Sequence, residues 1–274
     1  MKQNRIAAAN TAFWDELCGS QLAKFLGISD SSPQSLKKFD DWYFEFYPYL
    51  DEHIGFNDLK GLDVLEIGLG YGTVSQKIAA SGSFYQGLDI AAGPVNMVNH
   101  RLTQNGLSGA AVQGSILEPP FKSNSFDVIV AIGCLHHTGN LKEAIKQSHR
   151  LLRSGGRLIF MVYYAYSYRR FIQAPIDTFN YLLNEALGRR NVVGTTDIRH
   201  RAAYDTNADG EGAPHTDWIS KSSLKKLCNQ FSSFHARIEN IDNGMPFQHW
   251  TRAQLLQTKI PQLVGLDLYA IARK

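Results

Sequence analysis

Residues 62–72, LDVLEIGLGYG, form an apolar run that ends in three alternating glycines. A short apolar run predicts a buried strand, and glycines directly after it predict a tight turn into a helix. Glycines at such a turn let the backbone approach a bound ligand and expose N–H groups to it. The stretch therefore predicts a strand that carries Glu66 near its end, followed by a ligand-binding loop of Gly68, Gly70 and Gly72.

Strand-like and helix-like segments alternate after this stretch. The further predicted strands are 84–90, 109–115, 125–133 and 157–164, and the clearest predicted helices are 94–106 and 140–156. Nearly continuous apolar strands that alternate with helices predict an α/β fold with a parallel sheet covered on both faces. Ligands in such sheets bind beyond the carboxyl ends of the strands, so the residues after each strand are the candidates for function.

The flanks of this alternating core differ from it in composition. We divide the chain into an N-terminal helical segment or lid, a core, a substrate-side insertion and a C-terminal completion of the sheet, at residues 1–55, 56–164, 165–219 and 220–274. The completion contains a short helix, 220–231, for which Ser220 is the expected cap. It also contains two final strands, 235–241 and 263–273.

Composition narrows the class of protein. The chain has 274 residues, 44% of them hydrophobic, and a net charge of +3, which is too small to indicate nucleic acid or a membrane as partner. Its cysteines, Cys18, Cys134 and Cys228, form no CxxC motif, so we expect neither a disulfide framework nor a metal site. No run of about 18 apolar residues and no secretory signal is found, so we expect a cytoplasmic protein without a membrane span.

Asp89 follows the glycine loop at the end of the second predicted strand, 21 residues after Gly68. A carboxylate at this place can accept both ribose hydroxyls of an adenosine-containing ligand. The dinucleotide fingerprint of dehydrogenases requires Gly or Ala where this chain has Thr73. An NAD(P)-binding dehydrogenase therefore remains only a distant alternative.

Residues 62–164 resemble the core of the class I S-adenosylmethionine-dependent methyltransferases. The residues that carry the resemblance are Glu66 to Gly72, Gly87-Leu88-Asp89, Gly114-Ser115, Ser125 to Ile129, Leu135-His136-His137 and Leu151 to Gly156. The final LDLYAIARK is similar to the antiparallel strands that close the family's sheet. The resemblance implies a Rossmann-like, seven-stranded, mostly parallel sheet with helices on both faces, a helical N-terminal cap and an insertion after the fifth strand.

The resemblance also implies S-adenosylmethionine as the cofactor and assigns roles by position. Gly68, Gly70 and Gly72 would lie against its methionine part, and Glu66 would organise the loop or reach the ammonium through water. Asp89 would hold the ribose hydroxyls and Ile90 would pack on adenine. The remaining expected cofactor residues are Gly114 and Ser115, where the family often has Asp, and Gly133 and Cys134, which would face the methionine carboxylate and methyl group.

Three histidines are the candidate catalytic groups. His136 and His137 follow the fourth strand, where either catalysis or a capping and packing role is open. His215, in the insertion, is our first candidate for a general base, because histidine titrates near neutrality.

The sequence 204–218, YDTNADGEGAPHTDW, begins like a calcium-binding loop with Asp205, Asn207, Asp209 and Gly210. Position twelve of such a loop needs an acid, and this chain has Thr216 there. Asp, Asn and Gly also favour turns, and the stretch is equally typical of a substrate-facing loop. We expect no metal at this loop, although cation binding stays open.

Two other groups in the flanks have competing interpretations. The basic group Arg189, Arg190, Arg199, His200 and Arg201 indicates either a solvated surface or an anion site for the substrate. The aromatic group Trp42, Tyr43, Phe44, Phe46, Tyr47 and Tyr49 indicates packing, with some rings closing over the cofactor.

The sequence predicts methyl transfer to an oxygen of a small-molecule acceptor, in specialised or saccharide metabolism. An anionic acceptor is one interpretation of the basic group above. N- or C-methylation and RNA or protein methylation are the alternatives. We expect no nucleic acid partner, and the sequence leaves the oligomeric state open.

Overall fold

The computed structural model describes residues 2–17, 20–189, 191–194 and 197–274, and within these ranges nine strands form one sheet. The strands are β1 (Asp63–Ile67), β2 (Phe84–Asp89), β3 (Ala110–Gln113), β4 (Phe126–Ile132), β5 (Leu152–Tyr164), β6 (Val193–Gly194), β7 (Asp217–Ile219), β8 (Ser233–Glu239) and β9 (Asp267–Arg273).

The helices fall mainly in the flanks and between the strands. They are α1 (Lys2–Trp14), α2 (Ser20–Phe25), α3 (Pro33–Phe46), α4 (Leu50–Ile54), α5 (Thr73–Ala80), α6 (Ala92–Gln104), α7 (Leu141–Leu151), α8 (Tyr168–Gln173), α9 (Pro175–Ala186), α10 (Ile198–Ala202), α11 (Lys221–Leu227), α12 (Arg252–Leu256) and α13 (Ile260–Val264). Ser220 caps α11 by accepting the Ser223 N–H, as its sequence predicts. Among the described helices, none has the length and apolar character needed to cross a membrane.

The sheet has the order β3-β2-β1-β4-β5, and each of these neighbouring pairs is parallel. Strand β9 pairs antiparallel with β5 and with β8, which completes the predicted Rossmann-like arrangement of seven strands. The sheet has two strands more than the predicted seven. The additional strands are β7, which pairs with β5 at Tyr163 and Tyr164, and β6, which pairs with β7. These two strands have three and two residues, which is too short for a periodic pattern in the sequence.

The boundary between α7 and β5 also differs from its prediction. The helix predicted over 140–156 ends at Leu151, and Leu152 already pairs with β4. The Gly-Gly pair lies inside the strand, at a register shift between β4 and β5. A Cβ added at Gly156 would lie 2.9 Å from the Asp127 carbonyl oxygen, so this glycine serves a close approach of two strands rather than a helix stop.

Alternate residues of the central strands enter two separate cores. Val64 and Val128 pack on the face that carries α4, α5 and α6, whereas Leu65 and Ile129 pack on the face that carries α7 and α11. All four side chains are at most 1% exposed. Each such burial stabilises the fold by about 2 kcal/mol, so the sheet is held from both sides.

Helix α3 of the N-terminal segment is tied to the core by a buried ion pair. The fully buried guanidinium of Arg101, on α6, donates to both carboxylate oxygens of Asp40 at 2.8 and 3.0 Å. The Thr73 hydroxyl, at the start of α5, donates to Asp40 at 2.6 Å. This network fixes α3 beside the glycine loop.

Candidate active site

A cavity of about 430 Å³ lies at the carboxyl edge of the parallel strands. It is lined by the residues that follow β1 to β4, by α1 to α3 and by the insertion. Nine of the predicted cofactor residues line it: Glu66, Gly68, Gly70, Asp89, Ile90, Gly114, Ser115, Gly133 and Cys134. His137 lines it as well, whereas Gly72, His136 and His215 are not among its lining residues.

Asp89 turns its buried carboxylate toward the loop after β1. Its Oδ2 accepts the Leu69 N–H at 2.7 Å, and its Oδ1 accepts the Ala91 N–H at 2.9 Å. Burial raises the pKa of this carboxyl, while the backbone N–H donors act in the opposite direction. Each carboxylate oxygen can accept more than one hydrogen bond, so Asp89 keeps acceptor capacity for ligand hydroxyls.

Glu66 is a buried acid at the floor of the cavity. Its Oε2 accepts the Tyr85 hydroxyl at 2.7 Å. Burial raises the pKa of Glu66 to about 7, and the groups acting on it, Ser75, Tyr85 and Asp89, include no cation. A cationic ligand group beside Glu66 would favour its ionised form.

Two glycines of the loop face protein rather than the cavity centre. Gly68 has φ 78°, and a Cβ added there would lie 2.3 Å from the Cys134 Cβ. Gly72 also has φ 78°, and an added Cβ would lie 2.8 Å from the Arg101 Cδ. We predicted that Gly72 lies against the cofactor's methionine part, but the structure places it against Arg101, outside the cavity lining.

Cys134 contributes a small wall to the cavity. Its thiol donates to the Ile67 carbonyl oxygen at 2.9 Å, and burial raises its pKa well above the usual value. It is therefore a neutral thiol, which is a poor nucleophile. Cys228 is buried elsewhere, in the core below α11, and Cys18 lies outside the described residues.

The turns after β2 and β3 form the opposite wall. Ile90 is partly exposed into the cavity, and its carbonyl accepts the Gln113 side chain at 3.0 Å. The Ser115 hydroxyl accepts the Leu117 N–H at 3.2 Å, so it stabilises the turn that follows Gly114.

His137 stands between the cofactor-side loop and the insertion. Its Nδ1 lies 2.7 Å from the His215 carbonyl oxygen, which can only accept, so Nδ1 carries a proton. Its Nε2 lies 3.4 Å from Asp205 Oδ2 and makes no hydrogen bond to a described residue. Asp205 in turn accepts the Tyr163 hydroxyl at 2.8 Å. The neutral imidazole therefore carries its lone pair on Nε2, beside a carboxylate.

Burial and charge act in opposite directions on this pair. Burial lowers the pKa of His137, and the Asp205 carboxylate opposes that shift. Burial raises the pKa of Asp205, and His137 opposes that shift. The pKa values of His137 and Asp205 therefore shift toward each other.

The other two candidate histidines occupy different surroundings. His136 is fully buried, with its ring centroid 4.2 Å from those of His137 and Tyr163, and burial lowers its pKa well below the usual value. The His215 Nε2 lies 3.0 Å from Asp217 Oδ1, outside the cavity lining. His215 meets the site through its backbone carbonyl, so the geometry does not support its imidazole as the base.

The loop that begins at Asp205 closes on itself and on the N-terminal segment. The Asn207 Oδ1 accepts the N–H groups of Asp209 and Glu211, which forms a turn, and the Ala208 N–H donates to both Glu16 oxygens. In the ranges that the structure describes, no group of three or more His, Cys, Asp or Glu is placed to hold a metal. The pattern read as a calcium loop forms a turn over the cavity.

Aromatic side chains from the N-terminal segment form the roof of the cavity. Those that line it are Phe13, Trp14, Phe39, Trp42, Tyr43 and Tyr47. Trp14 lies with its ring centroid 5.0 Å from that of His137. Tyr49, another member of the predicted aromatic group, is buried against Tyr269 instead.

The basic group of the insertion does not reach the cavity. Arg199 is exposed and pairs with Asp197 on its own helix, and the Arg201 Nε donates to the Ala213 carbonyl. The remaining members that the structure describes, Arg189 and His200, do not line the cavity either, and Arg190 lies outside the described residues. The hypothesis of a substrate-anion site in this group gains no support from their positions.

Comparison with known proteins identifies the domain. Residues 65–160 match a family model described as a methyltransferase domain. A sterol 24-C-methyltransferase of Gibberella zeae is 34% identical over 118 residues, 42% of this chain and 30% of that protein. A ubiquinone biosynthesis O-methyltransferase of Stutzerimonas stutzeri is 28% identical over 116 residues, 41% of this chain and 47% of that protein. Residues 65–160 therefore form a methyltransferase domain, as the resemblance to the class I S-adenosylmethionine-dependent enzymes predicts.

The fold of this methyltransferase domain recurs in solved structures. A methyltransferase of Methanosarcina mazei described as S-adenosylmethionine-dependent matches over 83% of this chain and 97% of its own, at a TM-score of 0.53 and 15% identity. The chain spans less than half the length of the two curated relatives above.

The cofactor of the methyltransferase domain is S-adenosylmethionine, and the cavity residues fit it. Among the described residues, no cation acts on the pKa of Glu66, and the methionine ammonium would supply one. Asp89 has spare acceptor capacity for ribose hydroxyls. The volume of the cavity is within the range of about 300–1,000 Å³ typical of small-molecule sites.

Proposed function

We propose that this chain methylates a hydroxyl oxygen of a neutral small molecule, with His137 as the general base and Asp205 as its charge partner. The observation that carries the proposal is the Nε2 of His137, which makes no hydrogen bond to a described residue and belongs to a side chain that lines the same cavity as Asp89 and Glu66. The proposed base and the cofactor residues therefore line one cavity.

The core would hold the cofactor by backbone and carboxylate groups. Asp89 accepts the ribose hydroxyls, Glu66 faces the ammonium, and Gly68 and Gly70 present their backbone to the methionine part. Ile90 packs on adenine. The remaining walls of the cofactor site come from the turns after β3 and β4, with Gly114, Ser115, Gly133 and Cys134.

When bound, S-adenosylmethionine supplies an electrophilic methyl group. The acceptor oxygen would form its bond to that methyl group as the sulfur–methyl bond breaks, which leaves S-adenosylhomocysteine, and the hydroxyl proton would move to His137 Nε2. Asp205, 3.4 Å away, stabilises the resulting imidazolium, and the His215 carbonyl keeps the ring oriented through Nδ1. General-base catalysis of this kind contributes about 10²–10⁴-fold.

The charges that line the cavity favour a neutral acceptor over an anionic one. Its described lining includes the acids Glu16, Glu66, Asp89 and Asp205 and contains no Lys or Arg. An acceptor phosphate or carboxylate would be repelled there rather than bound. The aromatic roof instead favours an acceptor with an apolar ring or chain.

The test is transfer of labelled methyl groups from S-adenosylmethionine to a panel of neutral phenols and alcohols, beside matched carboxylates and amines. We expect labelled methyl ethers from neutral members of the panel. Transfer only to amines, carboxylates, RNA or protein would contradict the proposal.

C-methylation is a second candidate that the aromatic roof supports. Attack of an alkene on a methyl group leaves a carbocation, and the faces of Trp14, Trp42 and Tyr43 would stabilise positive charge in the cavity. The sterol 24-C-methyltransferase named above is a C-methyltransferase by its name. A product that carries the labelled methyl group on carbon rather than on oxygen would favour this candidate.

Location in the cytoplasm and independence of nucleic acid remain predictions.

A further inference from the structure

Helix α9 presents an apolar face to solvent. Thirteen large hydrophobic side chains are exposed among the described residues, and six of them lie between residues 172 and 187. Their exposed fractions run from 43% to 75%: Ile172, Ile176, Phe179, Leu182, Leu183 and Leu187. Four of the six lie on α9, Ile172 lies on α8 just before it, and Leu187 directly follows its end. Scattered exposed leucines are ordinary, but a cluster of this kind marks an interaction surface.

The spacing of these residues matches a helix partner. Ile176, Phe179, Leu183 and Ala186 follow the 3-4-3 spacing of an a/d seam, with Leu182 and Leu187 at its edges. The opposite side of α9 is already used, since Thr178 and Tyr181 are buried in the protein. The charged residues Asp177 and Glu185 lie off the seam.

We propose that α9 is a dimerisation helix, which packs antiparallel against α9 of a second copy of this chain. An interface of one helix with itself about a two-fold axis is the usual form of a homodimer.

The exposed area is sufficient for such a pair. With about 180 Å² for a fully exposed large apolar residue, the six side chains offer roughly 600 Å² of surface per chain. Two copies would therefore bury roughly 1,200 Å², the lower limit of stable interfaces. A lipid surface is less well matched, because anionic headgroups attract rows of Lys or Arg, and α9 carries none.

The test compares two leucines by sedimentation equilibrium of the full chain. Leu183, on the seam, is 60% exposed, and Leu263, on α13, is 68% exposed. We expect a dimer for the wild type, a dissociation constant raised at least about tenfold by Leu183→Glu, and a wild-type constant for Leu263→Glu.

Circular dichroism of both variants shows whether each is folded, and Leu183→Ala serves as a milder variant if the charge prevents folding. We expect a dissociation constant of the dimer on the order of micromolar, so the wild type should be dimeric at about 100 μM. A wild type that is monomeric at that concentration would overturn the proposal. A dimer that Leu183→Glu leaves intact would also overturn it. Binding of the monomer to phosphatidylcholine vesicles, lost in Leu183→Glu, would assign the face to a membrane surface instead.

Discussion

The two sides of the cavity are built in different ways. The cofactor side consists of turns that directly follow parallel strands, and its contacts come from backbone groups and two carboxylates, Glu66 and Asp89. The acceptor side consists of side chains from segments far apart in the sequence, such as Trp14, His137 and Asp205. The first side is specified locally and suits one invariant ligand, whereas the second can change with the acceptor while the sheet stays the same.

The largest effect is expected from the acceptor side. His137→Gln removes the base and keeps a polar group of similar size, so methyl transfer should slow by about 10²–10⁴-fold. Binding of S-adenosylhomocysteine should remain within about twofold, because the cofactor groups are unchanged. Turnover and calorimetry measure the two quantities separately.

His215→Gln is the matched control for this comparison, because it removes an imidazole but keeps the backbone carbonyl that orients His137. We expect transfer close to that of the wild type. A loss equal to that of His137→Gln would return the role of base to His215.

On the cofactor side, the largest loss of ligand affinity is expected from substitution of Asp89. Asp89→Ala removes the acceptor of the ribose hydroxyls and of the Leu69 and Ala91 N–H groups, so S-adenosylhomocysteine affinity should fall about 100-fold. Asp63 lies at the opposite end of β1, so Asp63→Ala should bind S-adenosylhomocysteine with the affinity of the wild type. Equal affinity of the wild type and Asp89→Ala would contradict the assigned role.

The junction between the two sides can be weakened through Asp40. Asp40→Asn leaves the buried Arg101 without its counter-charge and should lower the free energy of unfolding by about 2 kcal/mol. Its neighbour Asp41 pairs with Lys37 on the exposed surface, so Asp41→Asn should cost less than about 0.5 kcal/mol. Urea denaturation measures both values, and equal costs would remove the argument that Asp40 anchors α3.

The smallest expected effect is on the pH dependence of cofactor binding. The pKa of Glu66 in the free protein is raised to about 7, and a ligand ammonium favours the ionised form. S-adenosylhomocysteine should therefore bind about fivefold to tenfold more tightly at pH 7 than at pH 5.5. In Glu66→Gln this increase in affinity between pH 5.5 and pH 7 should disappear, as calorimetry at several pH values would show. An unchanged pH profile in the variant would assign the dependence to another group.

The strands and turns of the cofactor side could be predicted from the sequence because the information for them is local. A strand, a glycine turn and a strand-end acid lie within 27 residues, from Asp63 to Asp89. The roles of these residues stay predictions until binding is measured. The contact of Gly72 with Arg101 could not be predicted, because Arg101 lies 29 residues further on and no local pattern indicates it.

The acceptor side was harder to predict for the same reason. His137 is 68 residues from Asp205 and 123 from Trp14 in the chain, so the group that they form exists only after folding. His215 has a suitable side chain at a suitable place in the sequence, but its ring lies beside Asp217, and His215 is not among the residues that line the cavity. The start of β5 was missed because a Gly-Gly pair that ends helices also permits the close approach of two strands.

The contacts of Glu16 with Ala208 and of Gln21 with Asn207 join the two flanks beside the cavity. Glu16, Gln21 and Asn207 line it, so exchange of cofactor and product through this side requires these contacts to open. Where such an opening limits turnover, a faster methyl transfer does not make a faster enzyme. Selection for speed would then act on the contacts between the flanks rather than on the groups that react.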